Sequence, residues 1–565
     1  MKAFTEPLLS LAGFEEMTKT AEKSSGLISV TGCIDAQKSQ MIYAFGGHRK
    51  NKLIVTFGEQ KAKELYDEYS FFDKEVVYYP SKDVLFYQSD IRGNLLTAER
   101  IRALKAIREQ ERVTLVTTFD ALMNTMAPIE KMWENVLTLE QGQLLDLKEI
   151  QAALIRMGYE KEYQVQTMGQ FSVRGGILDV FPLTEENPIR IELWGDEIDT
   201  IRYFDCESQK SIENTDRVSI YPAAELVLSD EEKAGGIDKL KAEAKRVSDK
   251  LRKQMKTEEA HRVTVMADEL TEEWGELSMY AGMDAFLSYF FDERVGLLDY
   301  FKPSDSLIFF DELTRCTEQG KLTETEFSES MKQRLAMGYI LPGQMNGLFT
   351  EKEIVAKLGK YSCIALAALD NKANGLHQLG SYGIHCQSVS PYNNSFELLI
   401  KDLKRYKKNG YRVILLSGSR TRAKRLSEDI TDQGITCFYT ENYDHELFEG
   451  QIMVCYGKVR RGFEYPILKF AVITESDIFG AQQKKKKRHR TYEGEKIQSF
   501  TDLSVGDYVV HENHGLGIYR GIEKLEVDKK VKDYIKIEYQ GGSNLYILAT
   551  PVSYTHLTLP TNSRV

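Results

Sequence analysis

The sequence lacks the features that would assign it to several large classes of protein. No run of about 18 apolar residues is available to span a bilayer, and the start MKAFTEPLLSLAGFEEM carries acidic residues where a signal peptide keeps its apolar stretch. An excess of basic residues is also absent, since 85 Asp and Glu outnumber 74 Lys and Arg and give a formal charge of -11. We therefore expect a cytoplasmic protein that has no membrane partner and does not coat nucleic acid with its whole surface.

Cysteine is scarce, and no two cysteines form a C-x-x-C pair. The seven cysteines are odd in number and widely scattered, which predicts neither a disulfide framework nor a zinc site. We interpret them as buried free thiols. They are Cys33, Cys206, Cys316, Cys363, Cys386, Cys437 and Cys455.

The chain has 565 residues, which at about 150 residues per domain predicts roughly four domains. Its first part alternates β-rich runs such as LISVTG and KLIVTF with helix-like stretches, the pattern of a parallel sheet covered by helices. Gly-Gly and Asn-Pro punctuation then marks closely spaced strands. The boundaries we predict are an α/β nucleotide domain at 1–125, an inserted β-rich domain at 126–225, the remainder of the α/β module at 226–345 and a linker at 346–383.

The second half predicts a further α/β domain and a small β domain. A predicted helix at 421–433 is surrounded by the runs RVILLSGS, ITCFYT, QIMVCYG and KFAVITESD. In the first half of the chain, a helix is also predicted at 237–255, just after a Gly-Gly pair. The closing boundaries are a small α/β domain at 384–480, a basic linker at 481–497, a small β-barrel at 498–552 and a non-native tail at 553–565. We expect the natural chain to be truncated at that tail, SYTHLTLPTNSRV, because it does not continue the strand pattern.

A phosphate-binding loop in altered form follows the strand LISVTG. The pattern G-x-x-x-x-G-K-[ST] needs two glycines for close approach to phosphate, a lysine for its charge and a hydroxyl for magnesium. The sequence GCIDAQKS keeps Gly32, Lys38 and Ser39, but Gln37 replaces the second glycine and Asp35 puts a negative charge where the phosphates would lie. These changes predict a loop that no longer binds ATP.

One acidic pair keeps the question of an active site open. Asp311 and Glu312 end the apolar run LIFF, as the acidic partner of magnesium does in nucleotide motors. An autonomous ATP-dependent helicase or nuclease would use this pair together with Lys38. The alternative is that the pair caps the N-terminus of a helix.

A surface with the composition of a protein-binding site is predicted in the inserted domain. The strand at 189–194 alternates its side chains, with Ile189, Ile191 and Leu193 on one face and Arg190, Glu192 and Trp194 on the other. Tryptophan and arginine on a polar face are typical of an interface. Either a partner or another element of the same chain covers Trp194.

Arg174 precedes Gly175 and Gly176 in the same domain. The two glycines suggest a β-bulge that turns the strand and projects the guanidinium outward. A purely structural salt bridge is the alternative use of this arginine.

Four longer motifs follow one another along the chain: GQFSVRGGILDVFP, IRIELWGDEIDTIRYFD, VITESDIFG and LSVGDYVVHENHGLGIYRGI. Together they resemble the amino-terminal half of bacterial transcription-repair coupling factors (Mfd). That half is similar to the damage-recognition helicase UvrB, which has the same inserted β domain and a working phosphate loop. The resemblance covers nearly all of residues 1–552. It implies a UvrB-like, degenerate nucleotide-domain fold within an α/β multidomain chain, ending in a truncated SH3/Tudor-like barrel.

The resemblance also implies partners and contact residues. Arg174, Arg190 and Trp194 match the family's contact with the repair ATPase UvrA, although some relatives carry Phe at the position of Trp194. Leu525, in GIEKLEV, matches a family position that contacts the RNA polymerase β subunit through an exposed edge strand. Without the resemblance, the alternative is that Leu525 is an ordinary buried core residue. His511 and a second histidine three residues later suggest turn or core residues rather than a metal site.

The activity implied for this chain is that of an adaptor, with no catalysis, cofactor or metal of its own. In the family, ATP and magnesium serve a double-stranded DNA translocase that follows the barrel, displaces stalled RNA polymerase and makes most contacts to DNA. A third interpretation is that the chain is a non-specific DNA-binding protein that uses the basic cluster at 484–490. The alternative interpretation of this cluster is a solvated hinge.

Overall fold

A computed structural model describes residues 1–45, 49–82, 95–276, 283–369, 375–480, 506, 508–511, 515–527, 530–538, 544–548 and 557–558. It divides into two units, Met1–Gly480 and Ala481–Val565. Several separate sheets flanked by helices confirm the predicted α/β multidomain class. Among the described residues, no helix has the length and apolar composition that crossing a membrane requires.

The first part of the chain alternates strands and helices as predicted. The β-branched run VTLVTT forms a strand that is buried along its whole length, as expected for a parallel strand covered on both faces. The elements are α1 (Lys2–Leu9), α2 (Phe14–Lys23), β1 (Gly26–Thr31), α3 (Asp35–Phe45), β2 (Asn51–Thr56), α4 (Glu59–Tyr69), β3 (Val77–Tyr79), α5 (Leu95–Glu109), β4 (Val113–Thr118), α6 (Phe119–Met123), β5 (Thr125–Met126) and α7 (Ile129–Glu134).

The inserted region is rich in strands. Its elements are β6 (Leu137–Glu140), α8 (Leu147–Arg156), β7 (Glu160–Lys161), β8 (Gln170–Arg174), β9 (Ile177–Val180), β10 (Ile189–Trp194), β11 (Glu197–Phe204), β12 (Ser211–Thr215) and β13 (Arg217–Ile220). Six of them form a sheet in the order β12-β11-β10-β9-β8-β7, and β13 pairs with β6. Apolar side chains of α8 pack with those of β8 to β11 in one core cluster.

The chain then returns to the first α/β module. Its elements are α9 (Asp230–Lys253), α10 (Thr257–Glu276), α11 (Leu287–Phe290), β14 (Val295–Gly296), β15 (Ser306–Asp311), α12 (Leu313–Ala336), α13 (Glu351–Leu358), β16 (Ser362–Leu366) and β17 (Gln378–Gly383). The Gly235–Gly236 pair lies inside α9, and so the prediction that the helix follows this pair was wrong. The helix begins earlier because Ser229 and Glu232 form a capping box.

The first module is built on a parallel sheet with the order β17-β1-β16-β15-β2-β4-β3. Strand β16 lies between β1 and β15 and is fully buried. The prediction of a linker at 346–383 was therefore wrong, because this segment supplies β16 near the centre of the sheet and β17 at its edge. The short apolar run SCIAL is sufficient to form a strand here, because β1 and β15 pair with it on its two sides.

The second α/β region follows directly. Its elements are β18 (Gln387–Ser388), α14 (Phe396–Lys408), β19 (Arg412–Ser417), α15 (Arg420–Asp432), β20 (Phe438–Tyr439), β21 (Ile452–Tyr456), β22 (Phe463–Tyr465), β23 (Phe470–Thr474) and α16 (Glu475–Phe479). The strands form a sheet in the order β18-β22-β23-β19-β21-β20. One apolar cluster contains side chains from this sheet and from the first module, including Phe4, Phe71 and Tyr465.

The carboxyl-terminal unit contains an antiparallel sheet. Its strands are β24 (Tyr508–His511), β25 (Gly515–Val527), β26 (Lys530–Glu538), β27 (Asn544–Leu548) and β28 (Leu557–Thr558), in the order β27-β26-β25-β24-β28. Strand β28 pairs with Val510 and His511. The expectation that the tail adds no strand was therefore wrong.

Candidate functional site

The phosphate-loop segment lies at the carboxyl end of β1, where it leads into α3. Gly32 has a φ of +78°, and a Cβ on it would lie 2.0 Å from the carbonyl oxygen of Ile384, so only glycine fits there. The amides of Gly32 and Cys33 donate to the carbonyls of Ala368 and Ala367, at 3.3 and 2.9 Å. These two amides are therefore already hydrogen-bonded within the protein.

Lys38 is enclosed by carboxylates and is only 1% exposed. Its Nζ lies 2.6 Å from Asp311 Oδ1, 2.8 Å from Glu312 Oε1 and 3.2 Å from Asp35 Oδ1. Burial by itself lowers the pKa of Lys38, but Asp311 and Glu312 outweigh it and raise that pKa above its usual range. Lys38 is therefore a permanently charged ammonium group whose charge is compensated inside the protein.

Asp311 and Glu312 are also satisfied by neighbouring donors. Thr56 Oγ1 donates to Asp311 Oδ2 at 3.1 Å, and the amide of Ala368 donates to Glu312 Oε1 at 3.0 Å. Glu312 is the N-cap residue of α12, but its side chain makes no capping hydrogen bond. Glu312 thus occupies the N-cap position without capping the helix through its side chain, and both carboxylates pair with Lys38.

The remaining loop residues do not form a polar cradle. Gln37 and Ser39 lie in the first turns of α3, are almost fully buried, and leave their side-chain polar atoms without hydrogen-bond partners among the described residues. Asp35 is exposed at the helix start and pairs with Lys61 Nζ at 2.9 Å. Although burial opposes the effect, the hydrogen bond from Lys61 and the charge of Lys38 hold the pKa of Asp35 below its usual value.

A similar arrangement lies at the carboxyl edge of the second sheet, and no sequence motif predicted it. The carboxylate of Glu475, just after β23, accepts hydrogen bonds from Ser417 Oγ at 2.9 Å and from the amide of Gly418 at 2.6 Å. Arg422 on α15 pairs with the same carboxylate. The amide at the entrance to α15 therefore already has an anionic partner from the same chain.

The predicted interface residues lie on one face of the sheet in the inserted region. Strand β10 alternates as expected, with Ile189 and Ile191 fully buried. Trp194, at the end of β10, is 84% exposed, and so no described element of the chain covers it. The structure therefore favours the partner-binding interpretation of this tryptophan.

Arg174 and Arg190 both pair with Asp179, which is almost fully buried on β9. Arg190 Nε and Nη2 lie 2.7 and 2.8 Å from the two oxygens of Asp179, and Arg174 Nη2 lies 2.9 Å from one of them. The side chain of Arg190 is 12% exposed and that of Arg174 is 37% exposed. The salt-bridge alternative for Arg174 is thus present, but it leaves this guanidinium half-exposed.

Gly175 and Gly176 form a hairpin turn rather than the predicted bulge. Arg174 pairs with Ile177 across the two antiparallel strands β8 and β9, with only the two glycines between them. Gly175 has a φ of +61°, the left-handed conformation that tight hairpin turns use. The turn ends the strand and leaves Arg174 beside it on the open face.

Leu525 lies in β25, opposite Lys532 of β26. Strand β24 pairs only with residues Gly515 to Ile518 of β25. The part of β25 that carries Leu525 therefore has a strand neighbour on one side only, within the described part of the chain. His514 and the basic cluster at 484–490 lie outside the described residues.

Two family models match the chain. One is the UvrB interaction domain, at residues 137–226, and the other is the CarD-like/TRCF RID domain, at residues 503–555. The first match contains Arg174, Arg190 and Trp194, and the second contains Leu525.

Curated relatives match most of the chain. The transcription-repair-coupling factor of Bacillus subtilis (strain 168) is 30% identical over 497 residues, which cover 87% of this chain and 42% of that protein. That of Staphylococcus haemolyticus (strain JCSC1435) is 29% identical over 92% of this chain and 44% of that protein. The chain thus spans less than half the length of these relatives. The matches confirm the resemblance that the sequence motifs predict.

Proposed function

Since the chain resembles the amino-terminal region of transcription-repair-coupling factors, we propose that it is a cytoplasmic adaptor in transcription-coupled DNA repair that recruits UvrA and binds RNA polymerase. Both family matches are to interaction domains. The observation that carries the proposal is the 84% exposure of Trp194, which lies inside the first matched domain on the same sheet face as the half-exposed Arg174. Large exposed aromatic and arginine side chains are typical anchors of protein interfaces.

The UvrA contact is tested by substitution on the inserted domain. Trp194→Ala should weaken binding of purified UvrA by about 2 kcal/mol or more, as loss of an interface anchor does. Arg190→Ala should also weaken it, although only 12% of the Arg190 side chain is exposed. Isothermal titration calorimetry measures the dissociation constant. Phe448→Ala is the matched control, since Phe448 is an exposed aromatic residue outside the matched domain. Full affinity in folded variants would reject the assignment.

The polymerase contact is proposed for the carboxyl-terminal unit. Its support is the CarD-like/TRCF RID match together with the one-sided pairing of β25 around Leu525, which leaves a strand edge for β-augmentation. The β subunit as partner and an SH3/Tudor-like closure of the sheet belong to this proposal. Leu525→Glu should reduce capture of RNA polymerase in a pulldown, with Lys524→Glu as the neighbouring control. Equal loss in both variants would contradict a specific role for Leu525.

We further propose that the phosphate-loop segment performs no ATP chemistry. The ion pairs of Lys38 and the glutamine in place of the second glycine support this. Titration of the chain with ATP and magnesium should give no saturable binding. Saturable binding that Lys38→Ala abolishes would instead establish the alternative of an autonomous ATP-dependent enzyme.

The activity of the longer protein is a separate proposal. By resemblance, ATP-dependent translocation on double-stranded DNA and displacement of stalled RNA polymerase belong to the part of the relatives that this chain does not cover. ATP, magnesium and most DNA contacts are assigned to that part.

A further inference from the structure

The docking face is defined as the face of the inserted sheet that carries Arg174, Asp179, Arg190 and Trp194. The two arginines of this face that pair with Asp179 differ in how many hydrogen bonds they make within the chain. Arg190 uses Nε and Nη2 on Asp179, donates from Nη2 to Gln209 Oε1 at 2.8 Å, and lies over the ring of Phe204 at 4.3 Å. Arg190 is therefore fixed on several sides and has little surface to offer a partner.

Arg174 is in the opposite situation. It spends one hydrogen bond on Asp179 and is three times as exposed as Arg190, at 37% against 12%. A guanidinium has five N–H donors in a planar fork. Most of the donors of Arg174 therefore remain available at the surface, in an orientation that Asp179 holds.

The cluster of Asp179, Arg174 and Arg190 also has an excess of positive charge. One buried carboxylate, Asp179, faces two guanidinium groups, and so one positive charge is left over within the cluster. Arg174 is the member that carries this charge to the surface. A planar, half-exposed guanidinium fits a carboxylate in a bidentate geometry.

A second exposed aromatic residue borders the docking face. Ser172 pairs directly with Asp179 across β8 and β9, so the two side chains lie on the same face. Ser172 Oγ donates to the carbonyl of Tyr163 at 2.8 Å, which brings that loop residue to the edge of the face. Tyr163 is 84% exposed, as is Trp194.

We propose that Asp179 is a positioning residue that orients Arg174 for an acidic side chain of the partner, and that Tyr163 is a second aromatic contact at the other edge of the docking face. Arg190 acts through Asp179 rather than by direct contact. This inference rests on the proposed UvrA-binding function and deepens it. It defines the complementary patch on the partner as a carboxylate flanked by surfaces that accept aromatic rings.

Arg174→Lys tests the fork separately from the charge. This variant keeps the positive charge at an exposed position and loses the planar donors, so UvrA affinity should fall at least 5-fold. Arg156→Lys is the matched control, because Arg156 is an exposed arginine of α8, which packs on the apolar side of the sheet. Unchanged affinity of Arg174→Lys would overturn the proposed carboxylate contact.

Asp179→Asn tests positioning by the sign of its effect. The change adds one net positive charge, so if charge alone attracted the acidic partner, affinity would rise. If Asp179 orients Arg174, affinity falls at least 5-fold, and the same change costs nothing further in an Arg174→Ala background. A rise in affinity, or equal losses in both backgrounds, would overturn the positioning role.

Tyr163→Ala changes a side chain that is 84% exposed, and so we expect the variant to fold. It should weaken UvrA binding at least 3-fold, whereas Tyr339→Ala, at another exposed tyrosine, should not. If Trp194→Ala weakens binding but the Arg174, Asp179 and Tyr163 variants do not, this inference fails and the proposed function stands. If the unaltered chain does not bind UvrA, both fail.

Discussion

Two regions of this protein hold basic side chains against buried carboxylates, with opposite outcomes. At the edge of the first sheet, Lys38 is enclosed by several carboxylates, Asp311 and Glu312 among them, and is 1% exposed. On the docking face, one carboxylate, Asp179, serves two arginines, and Arg174 is 37% exposed. The ratio of acids to bases and the depth of burial therefore decide whether a cation stabilises the fold or remains available for binding.

The largest expected effect comes from breaking the closed cluster. Lys38→Met leaves the buried Asp311 and the partly buried Glu312 without their cation, and should lower the free energy of unfolding by about 3–5 kcal/mol. Urea unfolding followed by far-UV circular dichroism measures this change. Lys19→Met is the control, because Lys19 and its partner Glu15 have side chains that are 61% and 80% exposed, and such pairs contribute about 1 kcal/mol or less. A loss under about 1 kcal/mol for Lys38→Met would contradict the comparison.

A buried carboxyl at the junction of the two α/β regions separates burial from pairing. Burial raises the pKa of Glu68 to about 7, although the charges of Lys61 and Arg460 oppose this. The folded state then holds a proton that the unfolded state has lost, and so stability falls as pH rises from the unfolded pKa, 4.5, to about 7. Glu68→Gln removes this loss.

The measurement for Glu68→Gln is the unfolding free energy at pH 5 and pH 8. Relative to the unaltered protein, the variant should gain about 2–3 kcal/mol of stability between the two pH values. The pH 5 value is the internal control, since the carboxyl of Glu68 is protonated there in the folded state. If the difference in stability between the variant and the unaltered protein does not vary with pH, then Glu68 is compensated by nearby positive charges, as Asp311 and Glu312 are by Lys38.

The smallest effect on stability is expected on the docking face. Arg174→Ala removes a half-exposed partner and leaves Asp179 paired with Arg190 through two hydrogen bonds, so stability should change by less than about 1 kcal/mol. The same variant should lose at least 5-fold in UvrA affinity. Thermal unfolding and calorimetric binding on one preparation give both values, and a large loss of stability would place Arg174 in the same class as Lys38.

Local patterns predicted the elements whose environment is local. The alternation in β10 identified its buried and open faces, and the alternation of β-rich runs with helix-like stretches identified the parallel sheet of the first module. Strand β16 was missed because SCIAL is short and its burial depends on β1 and β15, which are distant in sequence. The bounds of α9 depended on a capping box that overrides two glycines.

The site residues show the same division. The loop residues Gly32 and Lys38 and the exposed Trp194 could be selected from motif and composition. Asp179 could not, because its pairing with Arg190 follows from the register of β9 and β10. Glu475 could not either, since its contact with Gly418 depends on β23 lying beside β19.

The apolar cluster shared by the two α/β regions has a mechanical consequence. Nucleotide motors work by opening and closing a cleft between domains around their ligand. Here the ring of Phe71 approaches the backbone so closely that a Cβ on Gly457 would lie 2.7 Å from it, and parting the two regions would bring such rings into water at about 2 kcal/mol for each large side chain. The shared apolar cluster therefore opposes separation of the two α/β regions.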